Sequence, residues 1–177
     1  MTTIAHSRRL TWALWVAIFC NTMSFFGYVY EQIVFVPNMF SSSPTESKML
    51  WTNYYTSTNP GHYHILVTVL ALIAFIVLWI YRQGLGAQQS KRLKAATIMF
   101  VIANILTGIA VTQINNKLYF GGPINEAQVV LSLATSWALL NLMRAIAVFI
   151  CIVSLLKIFQ ITLNSPQPEQ PQANLTI

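Results

Sequence analysis

The sequence predicts an all-α integral membrane protein, a bundle of four spanning helices with a short amphipathic segment in the first outer loop. Three observations predict it. Hydrophobic residues make up 55% of the chain and charged residues only 8%, outside the usual range of soluble domains. Four apolar stretches are long enough for the roughly 20 helical residues that cross a bilayer core. The cations fall almost entirely in the connections on one side of those stretches.

The first span, about 10–36, follows Arg8 and Arg9. It is too long for the apolar region of a signal peptide and lacks a small-x-small cleavage site, so it is expected in the mature protein. Pro37 has no N–H and disfavours helical geometry in its predecessor, so the span is expected to stop before it. In the outer loop, Met49, Leu50, Trp51, Tyr54 and Tyr55 fit a short interfacial helix within Thr45–Thr58. Such a segment serves either as an aromatic belt or as a lid over an outward-opening pocket. Asn59-Pro60 reads as an N-cap and first helical residue for the second span, about 60–81.

The Gln83–Ser90 stretch reads as a short loop, followed by the third span at about 95–115. Asn125 and Gln128 resemble a capping box opening the fourth span, about 127–156, with Glu126 near the positive end of its dipole. Residues 1–9 and 160–177 are expected to be cytoplasmic ends, the second disordered and rich in Pro and Gln. The transmembrane domain is thus expected over 10–159. The sequon at Asn174 is expected to go unused in that tail.

The net charge of +6 marks topology and does not point to nucleic acid. Arg8, Arg9, Arg82, Lys91, Arg92, Lys94 and Lys157 fall on one side, and only Lys48 and Lys117 on the other. By the positive-inside bias both termini are cytoplasmic, and the expected location is a bacterial plasma membrane. The expected partners are the bilayer and a small lipophilic ligand; the sequence carries no signal for oligomeric state. Cys20 and Cys151 read as small core residues.

Arg144 stands out because it lies inside the fourth span, where an arginine costs about 2.5–3.5 kcal/mol on insertion scales. Trp137, Asn141 and Arg144 occupy positions i, i+4 and i+7, one helical face. From the helical rise, Arg144 lies roughly 20 Å from Lys157 and Glu31 roughly 33 Å from Arg9. Side chains lean towards helix N-termini, which brings the two together. Glu31 is the only carboxylate inside a span and the natural partner of Arg144. Gln32, Gln113, Asn115, Asn116 and His64 lie at a similar level. The pair is either a lock fixing helix register or part of a ligand site.

His62 and His64 point about 200° apart on a helix and do not share a metal easily. The chain has no Asp, and no metal or other cofactor is expected. His64 is a candidate general base, imidazole being the side chain that exchanges protons near neutrality. His6 reads as a solvated terminal residue.

The pattern Trp137-x-x-x-Asn141-x-x-Arg144 resembles that of the anthrone-oxygenase-like family, a domain-of-unknown-function family of four-helix membrane proteins. Phe35-Val36-Pro37 is similar to the end of the family's first helix, Asn59-Pro60 to the opening of its second, and Ile114-Asn115-Asn116-Lys117-Leu118 to the end of its third. The order covers roughly Leu10 to Phe159. The resemblance implies a polar site near the outer ends of helices 1, 3 and 4. It also implies, for some members, oxidation of anthrones to anthraquinones. Many members carry His after the motif asparagine, where Leu142 stands here, so a mechanism using that histidine does not carry over.

Three functions follow as expectations. In the first, a cofactor-independent oxygenase-like enzyme acts on a lipophilic acidic substrate. Arg144 and Asn141 stabilise the anion, and His64 or Glu31 takes the proton, the carboxylate only if burial makes it a stronger base. Trp137, Asn115, Asn116, Gln113 and Tyr28 contact the substrate. The second is a non-catalytic binder of a lipid or quinone-like molecule at the same residues. The third is an accessory subunit in which the cluster only locks helices. A transporter is disfavoured, since the sequence shows neither an inverted repeat nor a pair of broken helices.

Overall fold

A computed structural model describes residues 2–54, 57, 60–118 and 126–164, with side chains from residue 8 to residue 162 of these stretches. Tyr55, Asn59, Asn125, the sequon and the tail beyond Asn164 lie outside the described residues. Helix α1 runs Thr2–Tyr30, continues as a π-helical stretch Glu31–Phe35 and closes as Val36–Met39. Helix α2 is Pro44–Tyr54 and α3 is Pro60–Ile80. Helix α4 runs Ala87–Ile109, continues as a second π-helical stretch Ala110–Asn115 and closes as Asn116–Leu118; α5 is Ala127–Asn164. Four helical segments, Arg8–Met39, Pro60–Ile80, Ala87–Leu118 and Ala127–Thr162, are long and apolar enough to cross a membrane. The protein is an all-α four-helix membrane bundle.

Three boundaries differ from expectation. Helix α1 does not stop before Pro37. The π stretch widens the backbone just ahead of the proline, with Val36 N–H bonding to Glu31 O, an i→i−5 bond. Asn38 Nδ2 donates to Val34 O at 2.6 Å, and the helix ends only where Phe40 N–H reaches Pro37 O at 3.2 Å. Helix α4 begins at Ala87, not near residue 95, because its polar first turn is capped. Gln89 Oε1 accepts from Gly86 N–H at 2.8 Å, and Gln89 Nε2 donates to Thr162 Oγ1 at 3.0 Å. That bond also accounts for the length of α5, whose final turns stand beside the start of α4. Apolar length measures the part of a helix inside hydrocarbon and misses such polar ends.

Helix α1 packs against α3 and α5, and α5 against α4; α3 and α4 make the fewest close backbone approaches of the neighbouring pairs. At the end carrying the termini, the terminal end, Leu14, Leu78, Leu93, Leu155 and Ile158 are fully buried. Ala17, Ala71, Ala74 and Ala96 fill the same cluster, small residues that let helices approach closely. Ile65, Ile73, Ile105, Ile146 and Phe149 are exposed on the outer faces, as hydrocarbon-facing side chains are. A smaller cluster at the opposite, far end joins Met39, Ala110, Ile114, Leu118, Val130, Ala134 and Trp137. Between the two lies the polar part of the bundle.

Candidate functional site

Arg144 and Glu31 are both 4% exposed and form the expected pair, Arg144 Nη2 to Glu31 Oε2 at 3.5 Å. The other carboxylate oxygen, Oε1, is 3.1 Å from His64 Nε2. Glu31 therefore stands between a guanidinium from α5 and an imidazole from α3. An ionised carboxylate only accepts hydrogen bonds. In the Nε2–H tautomer the imidazole donates across this contact and Nδ1 keeps its lone pair.

The surroundings hold each member in place. Tyr28 stacks on His64 with ring centroids 4.6 Å apart and planes 14° apart. The same ring lies 4.6 Å from the Arg144 guanidinium carbon, and Trp137 lies 5.8 Å from it, both within cation–π reach. Arg144 Nη2 donates to Asn141 Oδ1 at 2.8 Å. Asn141, fully buried, donates to Tyr28 O at 2.9 Å and to Gln32 Oε1 at 3.1 Å. Gly27 makes the His64 position possible. A Cβ there would stand 2.9 Å from His64 Cε1 and 3.1 Å from Tyr63 Cε1, so only glycine lets the α3 histidine lie against α1.

A cavity of about 380 Å3 adjoins this group, within the size range of small-molecule sites. Glu31, His64, Asn115, Trp137 and Arg144 line it, with Phe35, Met39 and Trp51 among its apolar walls. Trp51 comes from helix α2, which therefore contributes to the cavity wall. Both π-helical stretches border the cavity, through Glu31 and Phe35 on α1 and Val111 and Asn115 on α4. π-helical turns occur frequently at functional sites, and here each turns polar side chains inward.

Four lining residues carry buried polar atoms without a hydrogen-bond partner: Glu31 Oε2, His64 Nδ1, Asn115 Oδ1 and Arg144 Nε. Native structures leave few such atoms, and each costs about 1–3 kcal/mol when nothing satisfies it. Their concentration at one cavity sets this region apart. It offers a cationic donor beside acceptors, complementary to a head group having both a hydroxyl hydrogen and an oxygen lone pair.

Comparison with protein-family models, with curated proteins and with solved structures gives no match. The site's own chemistry therefore carries the functional argument.

Several candidate residues stand elsewhere than expected. Gln113 and Asn116 are exposed and do not line the cavity. They share its level, but the face of α4 that borders the cavity runs through Thr107, Val111 and Asn115. Asn141 stands behind Arg144, positioning it, and Tyr28 holds the His64 and Arg144 planes; neither lines the cavity. Thr68 on α3 and Asn104 and Thr107 on α4 do line it and were not among the expected residues. The spacing of Asn104, Thr107, Val111 and Asn115 (i, i+3, i+7, i+11) is the sequence signal that marks this face. Cys20 and Cys151 are both free and buried. Among the described residues no three His, Cys, Asp or Glu side chains converge as metal ligands.

Proposed function

We propose that this protein binds a lipophilic molecule with an acidic head in the cavity and removes a proton from it, and that the resulting anion reacts with molecular oxygen. The observation that carries the reading is His64, whose Nε2 is engaged by Glu31 while Nδ1 has no partner and the residue lines the same cavity as Arg144. Glu31 orients the ring and stabilises the imidazolium that forms. Arg144, held by Asn141, stabilises the substrate anion in a low-dielectric setting.

The charges balance through the step. Before it, Arg144 and Glu31 cancel, with His64 and the substrate neutral. After it, a second cation on His64 faces the new anion. The site stays neutral, so no net charge is created inside the membrane.

For an activated methylene, the C–H bond breaks and its proton goes to His64 Nδ1. A C–O bond then forms with molecular oxygen, and the peroxide takes up the proton. Loss of water from the hydroperoxide, with cleavage of the remaining C–H and the O–O bond, gives the ketone. In sum, a methylene and one molecule of oxygen become a ketone and one molecule of water. The carbon gives up four electrons and the oxygen molecule accepts four. The resemblance of Trp137, Asn141 and Arg144 to the anthrone-oxygenase-like pattern supports this chemistry. The cation distribution supports a bacterial plasma membrane with cytoplasmic termini, which puts the site in the outer half of the bilayer.

A second reading makes the cluster a lock tying α1 to α5, and the Asn141 bonds to Tyr28 and Gln32 favour it. It gives no role to the unpartnered atoms at the cavity. A non-catalytic binder would use the same residues without turnover.

The test is oxygen uptake and ketone formation with anthrone, by the protein in lipid nanodiscs. General-base removal typically costs about 10²–10⁴-fold, so His64→Gln should lose about two orders of magnitude or more. An unchanged rate in both His64→Gln and Arg144→Leu would refute the enzyme reading. Saturable binding of anthrone without turnover would leave the binder.

A further inference from the structure

The seam between α3 and α4 is built differently along its length. Near the terminal end side chains close it beneath an apolar surface groove lined by Leu72, Ile76 and Val101. Trp79 Nε1 donates to Thr97 Oγ1 at 2.9 Å, and Phe75 meets Phe100 with ring centroids 4.8 Å apart. Continuing that antiparallel register brings Thr68 level with Thr107. There the closure ends, for among the described residues neither His64 nor Thr68 bonds to α4. Ile65 is 64% exposed and Val111 37% exposed on the lipid-facing surface, yet both line the cavity. The mouth therefore lies on the side of the bundle, between these two helices.

The rim is polar where a hydrocarbon-facing surface has no use for it. Asn104, Thr107 and Asn115 run along about 16 Å of α4, by the rise per residue. Asn104 Nδ2 and Thr107 Oγ1 bond back to Phe100 O and Ala103 O at 2.8 and 2.9 Å. Among the described residues no donor reaches Asn104 Oδ1. Polar side chains at this depth usually mark a pathway or a wet cavity.

We propose that the α3–α4 seam is a lateral portal. Through it a membrane-resident amphiphile with one hydroxyl-type acidic head slides that head from the bilayer to Arg144 and His64, its tail remaining in lipid. The proposal rests on reading the cavity as a ligand site. A cavity of about 380 Å3 holds a ring or head group and not a chain of membrane length. The head chemistry follows from the site: an O–H for His64 Nδ1 or Asn115 Oδ1, and an oxygen to accept from Arg144 Nε.

The experiment uses a long-chain alkylphenol bearing a diazirine on its ring, in phosphatidylcholine vesicles containing the full-length protein. Photolabelling is mapped to peptides by mass spectrometry. In the unaltered protein the label should reach the α5 segment around Trp137. Closing the seam by oxidising Thr68→Cys/Thr107→Cys should abolish that label, and reductant should restore it. Undiminished label with the seam closed overturns the portal and leaves the site, since the head must then arrive from the aqueous end. No label at Trp137 in the unaltered protein overturns the site reading and the portal with it. If the cysteine pair does not close, Thr107→Phe fills the seam. A folded Thr107→Phe protein should lose the label, and persistent labelling overturns the proposal.

Discussion

In the terminal half of the bundle, the fully buried side chains are mostly leucines and an isoleucine, with Asn21 and Cys151 hydrogen-bonded to each other beside them and alanines that bring helices into contact. In the far half the buried set includes Glu31, His64, Asn141 and Arg144, and two of the four spanning helices pass into π-helical turns. The same helices run through both halves. The difference shows that stability and site are separated along the helix axes. The terminal half fixes the relative positions of α1, α3, α4 and α5, so that the far half tolerates a cavity and incompletely paired polar atoms.

The largest effect should come from breaking the far-half pair. Arg144→Leu or Glu31→Leu alone leaves a buried charge without its partner, and such single losses cost about 3–5 kcal/mol. Replacing both should recover most of the stability, because packed apolar residues can substitute for a buried pair. Unfolding midpoints in nanodiscs would show the recovery. Binding of the alkylphenol should remain lost in the double variant; a stable double variant that still binds would leave the pair as a lock.

A comparable truncation in the terminal half should separate the two properties in the opposite sense. Leu155 is fully buried, and Leu155→Ala should cost about 2–5 kcal/mol through the cavity left behind. Photolabelling at Trp137, read at a temperature where the protein is folded, should not change. A parallel loss of labelling would mean that the two halves are coupled.

Gly27 and Gly108 offer a matched pair on a smaller scale. A Cβ at Gly27 would press on His64 and Tyr63, whereas one at Gly108 meets nothing within 4 Å. Gly27→Ala should cost about 1–3 kcal/mol by overpacking and should displace the imidazole from Glu31, lowering anthrone turnover. Gly108→Ala should be neutral or slightly stabilising, given alanine's better helix propensity. Equal turnover in the two variants would remove the role assigned to the Gly27 contact.

The parts of this arrangement legible in the sequence are those governed by composition along one helix. Apolar length gives the four spans, and the scarcity of charge picks out Arg144 and Glu31, since a span with one guanidinium and another with one carboxylate leaves little choice of partner. Level along the axis is also readable, which is why His64 and Asn115 can be placed beside them. Level alone does not give facing. Gln113 and Asn116 share a level with the cavity but lie off the i, i+3, i+7, i+11 stripe of Asn104, Thr107, Val111 and Asn115 that lines it, so they point away. The Glu31–His64 hydrogen bond depends on the absence of a Cβ at Gly27, a feature of helix contact that a single-helix pattern does not carry. Pro37 reads as a stop because the compensating i→i−5 bonds are invisible in local propensity.

The smallest expected effect tests the boundary between the two halves. Trp79→Phe removes the hydrogen bond to Thr97 and keeps an aromatic ring at the α3–α4 seam. Interhelical hydrogen bonds within membranes average about 0.6 kcal/mol, so the unfolding midpoint should fall only slightly. The consequence for the portal is more discriminating than the energy. With Phe75 and Phe100 still in contact below the mouth, the terminal seam should hold and alkylphenol labelling at Trp137 should stay the same. Should labelling instead rise, α3 and α4 would be separating along their whole length. The Trp79–Thr97 bond would then be the latch of the portal, and the closed half of the seam would belong to the moving part of the protein.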